Sequence, residues 1–222
     1  VYNNCGRWEG EYEGVVYYDY RRWPGRVTPD LFVSWRHPSV AADPRCSARD
    51  KWLWLHNVYA PGMKENWERY DRILGVSQAH VSMMQEAYPF IAPEKFGYVY
   101  NGVNLERFSP AQRPVREAHK LVWTSSPDRG LVHLLRMWPE IIKHVPDATL
   151  HIFYGWGNID KAIAAGDKRL AALKAETMSL AIQPGLIWRG RVNQTQLALD
   201  LLSAQVWPYS CVWSEEFCIA SL

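Results

Sequence analysis

No apolar run in this 222-residue chain approaches the roughly 18 residues of a membrane-spanning helix. The N-terminus also lacks the charged and apolar regions of a secretory leader, so any membrane contact is expected to be peripheral. Cysteine is sparse: Cys5, Cys46, Cys211 and Cys218 are scattered and form neither a CxxC pair nor a His/Cys ligand cluster. That spacing gives no zinc motif and points to a reducing compartment. Charge of one sign is lacking too, because 25 basic residues face 23 acidic ones for a net +2. Such a balance leaves no electrostatic footprint for nucleic acid. The densest basic cluster, Arg21, Arg22 and Arg26 beside Trp23, Pro24 and Gly25, fits a solvated turn, with an anionic membrane surface as the alternative. Aromatic residues are plentiful, with twelve Trp and twelve Tyr, a load that suits thick packing layers or a ligand cleft.

Length permits one large domain or two small ones, and the patterning favours two. The opening residues 1–20 carry no initiator Met and mix short β-like runs with Gly6, Gly10 and Gly14, as if the chain began inside a domain. Residues 31–35 and 52–59 read as buried strands, 63–70 as a helix and 72–77 as a strand whose final Ser77 can cap the helix that follows. Another strand spans 98–101 and turns at Asn101-Gly102. Residues 104–120 hold Pro110, Pro114 and many charges with little apolar periodicity, which places the domain boundary there, at residues 112/113.

Beyond that boundary the alternation restarts. A strand over 121–126 precedes a helix whose apolar positions Leu131, Leu134, Leu135, Trp138, Ile141, Ile142 and Val145 recur by threes and fours. Pro139 should kink or divide it. Strands follow at 149–157 and 186–192, with helical composition over 161–181 between them, and Asn193 can cap a helix over 194–204. A terminal strand near Val206 ends at Pro208, and Ser214 can cap a helix starting at Glu215. Strands alternating with helices predict an α/β protein of two Rossmann-like domains with parallel sheets.

In such sheets successive strand ends converge on one edge. Arg129, the glycines Gly155, Gly157 and Gly190, and the carboxylates Glu215 and Glu216 should therefore share one crevice. A cation and a helix N-terminus suit a diphosphate, whereas carboxylates suit sugar hydroxyls. Taken alone, Ser214-Glu215-Glu216 also fits an ordinary helix start, where acids stabilise the macrodipole.

With these residues in place, the second half resembles the donor-binding domain of retaining glycosyltransferases of the GT-B fold, specifically glycosyltransferase family 4, the "group 1" transferases. The matching positions are Arg129-Gly130 after a strand, the Gly155-Trp156-Gly157 turn, Gly190 before a nucleotide-contacting loop of Arg191 and Val192, and the acidic loop Glu215-Glu216-Phe217-Cys218. The resemblance implies that Glu215 lies near the donor sugar, with a second motif glutamate falling just past Leu222. Glu216 stands where the family usually has Gly, and Thr124 or Ser125 stands where it has the Arg of a diphosphate clamp. The first half is similar to the latter part of the family's acceptor-side domain, through VSWRHP, LWLHN, ILGVSQAHVSMM and NGVNLERFSP, with His56 by analogy near the acceptor hydroxyl. A lone His there equally fits a structural role. The family's glycine-rich first strand and loop have no counterpart, so the chain is expected to be truncated at both ends.

The resemblance implies transfer of a sugar from a nucleotide-diphosphate sugar to an acceptor (a glycan, a lipid-linked sugar or a small molecule) with retention, needing no cofactor or essential metal. It also implies a cytoplasmic setting, with peripheral contact at the inner face of the membrane as the alternative, and service in polysaccharide biosynthesis. A non-catalytic nucleotide-sugar-binding or assembly module, and a nucleotide-sugar epimerase, are the competing expectations.

Overall fold

The structure, a computed structural model, describes residues 1–23, 28–111 and 113–218. The expected helix beyond Cys218, and Arg26 of the basic cluster, lie outside the described residues. The chain divides into two units, Val1–Asn101 and Gly102–Leu222.

The first unit opens with three short strands, β1 (Tyr2–Asn3), β2 (Gly10–Tyr12) and β3 (Val15–Asp19), arranged β1-β3-β2. Its main sheet is parallel, in the order β4 (Leu31–Trp35), β5 (Asp50–Trp54), β6 (Arg72–Gly75) and β7 (Phe96–Tyr98). The strand expected over 52–59 therefore starts earlier and stops at Trp54. The 63–70 helix is one α turn, α1 (Met63–Asn66), followed by a 3₁₀ turn over Trp67–Arg69. Ser77 caps α2 (Gln78–Ala87) by accepting from the His80 N–H at 3.0 Å. Leu53, Ile73 and Phe96 are cross-strand neighbours on one face, where they pack with Met84 and Val81 of α2. The opposite face of β4 leaves Leu31, Val33 and Trp35 exposed.

The second unit holds β8 (Lys120–Trp123), β9 (Thr149–Phe153) and β10 (Leu186–Gly190), all parallel in the order β10-β9-β8. On the free side of β8, Leu121 pairs parallel with Val206. In chain order the sheet runs 3-2-1-4, so its topological switch point lies between β8 and the Val206 segment. Helix α3 (Leu131–His144) buries Leu131, Leu135 and Trp138 against Leu150 and Ile152 of β9.

Pro139 neither ends nor divides α3. A proline removes the N–H that would bond the carbonyl four residues back, here that of Leu135. That carbonyl accepts from Gln183 Nε2 at 3.0 Å instead, so a side chain replaces the missing backbone donor. Residues 161–181 form not one helix but the end of α4 (Gly157–Ala164) and the whole of α5 (Lys168–Ser179). Gly166, at φ +98, breaks the run, and Asp167 restarts it by accepting from the Leu170 N–H at 2.9 Å. Asn193 caps α6 (Gln194–Ser203), accepting from the Gln196 N–H at 2.8 Å.

Candidate functional site

The site in the second unit is built where the chain leaves β8 and where it leaves Val206. After β8, Thr124 and Ser125 lead into a 3₁₀ turn over Pro127–Arg129, and Gly130 opens α3 at φ +110. That backbone is favoured by glycine. Close packing demands glycine a second time, since an added Cβ would stand 2.2 Å from the Ser210 carbonyl oxygen. Ser210 Oγ in turn donates to the Gly130 carbonyl at 2.7 Å. The segments on the two sides of the switch point are thereby clamped together.

This clamp brings two of the expected residues into contact. Arg129 Nη1 lies 3.3 Å from Glu215 Oε1, and its guanidinium stacks 4.7 Å over the Trp213 ring. Trp213 is held by its Nε1 donating to the Asp128 carbonyl at 3.1 Å. The Tyr209 hydroxyl donates to the same Glu215 oxygen at 2.5 Å. Burial, and then that carboxylate, push the Tyr209 hydroxyl well above its ordinary range, so it stays a donor; Cys211 and Cys218 also hydrogen-bond with it. Glu215 therefore serves Arg129 and Tyr209 rather than the N–H groups of a helix start. Residues 214–218 are not helical, which corrects the expected cap at Ser214.

A cavity of about 600 Å³ lies at the ends of β8, β9 and β10, lined by Thr124, Tyr154, Arg191, Val192 and α6, and by Asn104 from the 102–108 segment. The hydroxyl of Thr124 is buried with no hydrogen-bond partner among the described residues. Arg191 lies over the Tyr154 ring at 5.9 Å, and Tyr154 itself takes φ +88. A non-glycine residue held there at a strand end marks local strain of the kind found at ligand sites.

Thr124, Arg191 and Val192 are thus gathered at the cavity, and Arg129 and Glu215 at the pair. Ser125 accepts from Trp123 Nε1 at 2.7 Å. Gly155, at φ +78, and Gly157 form the open turn after β9, with no atom near where a Cβ would sit. Trp156 turns onto Trp188 at 6.2 Å and beneath Lys174 at 5.5 Å. Gly190, at φ +65, sits at a register shift between β10 and β9 and turns the chain toward Arg191. Glu216, Phe217 and Cys218 are half-buried beside Glu215.

His56 belongs to the first unit, two residues beyond β5. Burial, then the Arg36 charge and His80, push its imidazole from an ordinary 6.5 down to about 4. The unfolded chain then binds the extra proton first as pH falls from 6.5 toward 4. The contribution of His56 to stability is full above that window and lost below it. Urea unfolding of the His56→Gln variant and the parent should therefore differ more at pH 7 than at pH 4.

Tyr209, Ser210, Trp213, Tyr154 and Asn104 also build the site, beyond the residues the sequence points to. Two of them flank expected positions: Tyr154 precedes Gly155, and Trp213 precedes the Ser-Glu-Glu run. Among the described residues no group of three or more His, Cys, Asp or Glu gathers as a metal site, and no helix is long and apolar enough to cross a membrane.

No family model matches the sequence, and no curated protein does. The fold is similar to that of HepE from Anabaena, solved with UDP and glucose, at 13% identity and a TM-score of 0.56, covering 84% of this chain and 54% of that one. It is similar also to the catalytic domain of starch synthase IV from Arabidopsis thaliana, bound to ADP and acarbose, at 10% identity and a TM-score of 0.55, covering 87% and 54%. A GtfA/B complex gives 9% identity and a TM-score of 0.53, covering 89% and 42%. The chain thus spans about half the length of the first two. What these proteins share with it is the fold: an α/β architecture with parallel sheets, of the GT-B glycosyltransferase type.

Proposed function

We propose that the chain is the core of a glycosyltransferase that takes a sugar from a nucleotide-diphosphate sugar, with retention, in the manner of family 4. The second unit would bind the donor and the first the acceptor. The observation that carries the reading is the Arg129–Glu215 pair, 3.3 Å apart at the switch point of a 3-2-1-4 sheet, where open α/β sheets take their ligands. The UDP and ADP in the structures of HepE and starch synthase IV support the same ligand class.

In this reading the nucleoside fills the cavity, where the unpartnered Thr124 hydroxyl offers a hydrogen bond. The diphosphate lies toward Arg129 and the first turn of α3, whose N–H groups and dipole favour an anion. Glu215 turns from Arg129 to the sugar hydroxyls when the diphosphate arrives. As the glycosidic bond breaks, negative charge grows on the leaving diphosphate, so Arg129 and the helix end stabilise the transition state more than the ground state. These residues supply the charge without a resident cofactor or metal.

A second reading, a non-catalytic nucleotide-sugar-binding subunit, is favoured by one observation: hydroxyls of Thr124 and Ser125 stand at the β8 end in place of a second cation. Incubation with labelled nucleotide sugars and acceptor extracts separates the two, because a binding subunit consumes no donor. The donor site is tested by calorimetry with UDP, ADP and GDP and their nucleosides. Arg129→Ala should weaken the diphosphates by about ten- to a hundredfold, a charge-assisted contact's worth, and the nucleosides by less than about threefold. Equal losses would remove Arg129 from the diphosphate site.

A further inference from the structure

The loop that carries Glu215 also holds two thiols, Cys211 and Cys218, which the donor site does not use. Both hydrogen-bond with one hydroxyl, that of Tyr209. Cys211 Sγ lies 3.4 Å from Glu215 Oε1, and that oxygen is 2.5 Å from the same hydroxyl. The Trp213 N–H donates to Cys211 Sγ at 3.4 Å. Residues 211–218 contain neither helix nor strand, so this irregular run turns back on itself until its two end side chains meet at Tyr209.

Two properties separate this pair from inert core cysteines. Cys211 and Cys218 are each half-buried, whereas Cys46 of the first unit is buried, and access governs which thiols an oxidant reaches. The chain between them is also free to adjust. A disulfide needs its two Cα atoms within about 7 Å, and the exposed residues Val212, Trp213 and Ser214 leave an irregular loop that can supply the shift. The segment such a bond would enclose carries Glu215 and Trp213, the two side chains that meet Arg129.

We propose that Cys211 and Cys218 form a reversible disulfide that locks Glu215 against Arg129 and so closes the diphosphate site to its ligand. The oxidant is a hydroperoxide. One thiol sulfur attacks the peroxide oxygen, the O–O bond breaks, and a sulfenic acid forms while the alcohol or water leaves with the thiol proton. The second thiol attacks the sulfenic sulfur, the S–S bond forms, and water leaves with the second proton. The two thiols lose two electrons and the peroxide gains them. Once the sulfurs turn to each other, the Tyr209 hydroxyl is left to Glu215, which keeps Tyr209 and Arg129 as its partners. A diphosphate has to displace that carboxylate from Arg129, and the closed loop removes the freedom by which it leaves. The effect on the donor rests on the transferase reading; the disulfide and the locked loop do not.

The test uses the full chain, reduced and then treated with hydrogen peroxide in the absence of nucleotide. Trypsin leaves both cysteines in one peptide, 192–222, and cleavage after Glu215 or Glu216 separates them unless a disulfide joins the pieces. The pieces should stay joined, and dithiothreitol should part them. Cys211→Ser and Cys218→Ser should stop at the sulfenic acid, trapped by dimedone. Amide hydrogen exchange over 209–218 should slow about tenfold on oxidation of the parent and of neither variant. Calorimetry with UDP, ADP and GDP should show the oxidised parent binding about tenfold or more weakly than the reduced one, as expected where the ligand is denied a charged contact, with affinity restored by dithiothreitol. Each variant, compared with itself before and after peroxide, should show no such change. Bridges to Cys5 or Cys46 in place of this pair, or unchanged exchange in the parent, overturn the proposal. A disulfide that slows exchange but leaves nucleotide affinity unchanged overturns the closure and leaves the donor site standing. A reduced protein that binds no nucleotide sinks the donor site instead, and the locked loop then stands or falls on the exchange measurement.

Discussion

Gly130→Ala should lower the stability of the second unit by about 3 to 5 kcal/mol, the range of substitutions that force both a special backbone and a buried clash. Two costs combine. At φ +110 the residue sits where a side chain is strained whatever the space, and the new Cβ would meet the Ser210 carbonyl at 2.2 Å. That oxygen is backbone, so relief requires the 209–215 segment to move away from β8. Chemical denaturation should show the loss. Ser210→Ala, which removes only the 2.7 Å hydrogen bond to the Gly130 carbonyl, should cost about 1 kcal/mol. Gly157→Ala, in the first turn of α4 with open space around it, should change stability by no more than about 0.5 kcal/mol. A Gly130→Ala protein as stable as the parent would mean that the switch-point clamp contributes nothing. In whatever fraction folds, Glu215 should part from Arg129, because Tyr209 and Ser210 carry the loop that places it.

Much of this fold was legible in local pattern. The Leu131, Leu134, Leu135 and Trp138 spacing marks a buried helical face, and α3 buries all four. Ser77 and Asn193 announce caps that the structure uses. The fold class followed from strand–helix alternation alone. Pairings between distant residues left no local signal. Gln183 reaches back to Leu135, and nothing in the sequence around Pro139 points to that rescue. The 161–181 run reads as continuously helical because Gly166 is one small residue among many good helix formers, yet its positive φ and the Asp167 cap split it. At the candidate site, the residue types were readable but their partners were not. Arg129 and Glu215 were expected at one edge, whereas Tyr209, which holds Glu215, stood just past the expected strand end at Pro208 with no role of its own. Residues 104–108 read as a connection, yet Asn104 and Phe108 line the cavity of the second unit, a placement that depends on α6, far along the chain.

Asp200→Ala should also cost about 3 to 5 kcal/mol, by a different mechanism. Lys120, only 4% exposed at the start of β8, has its ammonium 3.2 Å from Asp200 Oδ1, 2.7 Å from Ser203 Oγ and 2.7 Å from Glu117 Oε1. Asp200 is itself buried, with Gln196 Nε2 at 3.0 Å and Arg189 at 3.8 Å. Removing one partner of a buried pair leaves an uncompensated charge, which costs far more than the pair's net contribution. Glu117 cannot make up the loss, because its carboxylate is more than half exposed and its attraction is screened by water. Replacing both charges tests this directly: Lys120→Met with Asp200→Leu should return stability to within about 1 kcal/mol of the parent, or above it. If Asp200→Ala alone costs no more than about 1 kcal/mol, Ser203 and Glu117 hold the ammonium by themselves. The pair joins α6 to the start of β8, and α6 supplies Leu197 and Leu201 to the cavity wall. Saturating UDP, if it fills that cavity, should therefore raise the midpoint of the single variant as much as that of the parent, since ligand stabilisation depends on the folded site and not on how the helix behind it is anchored.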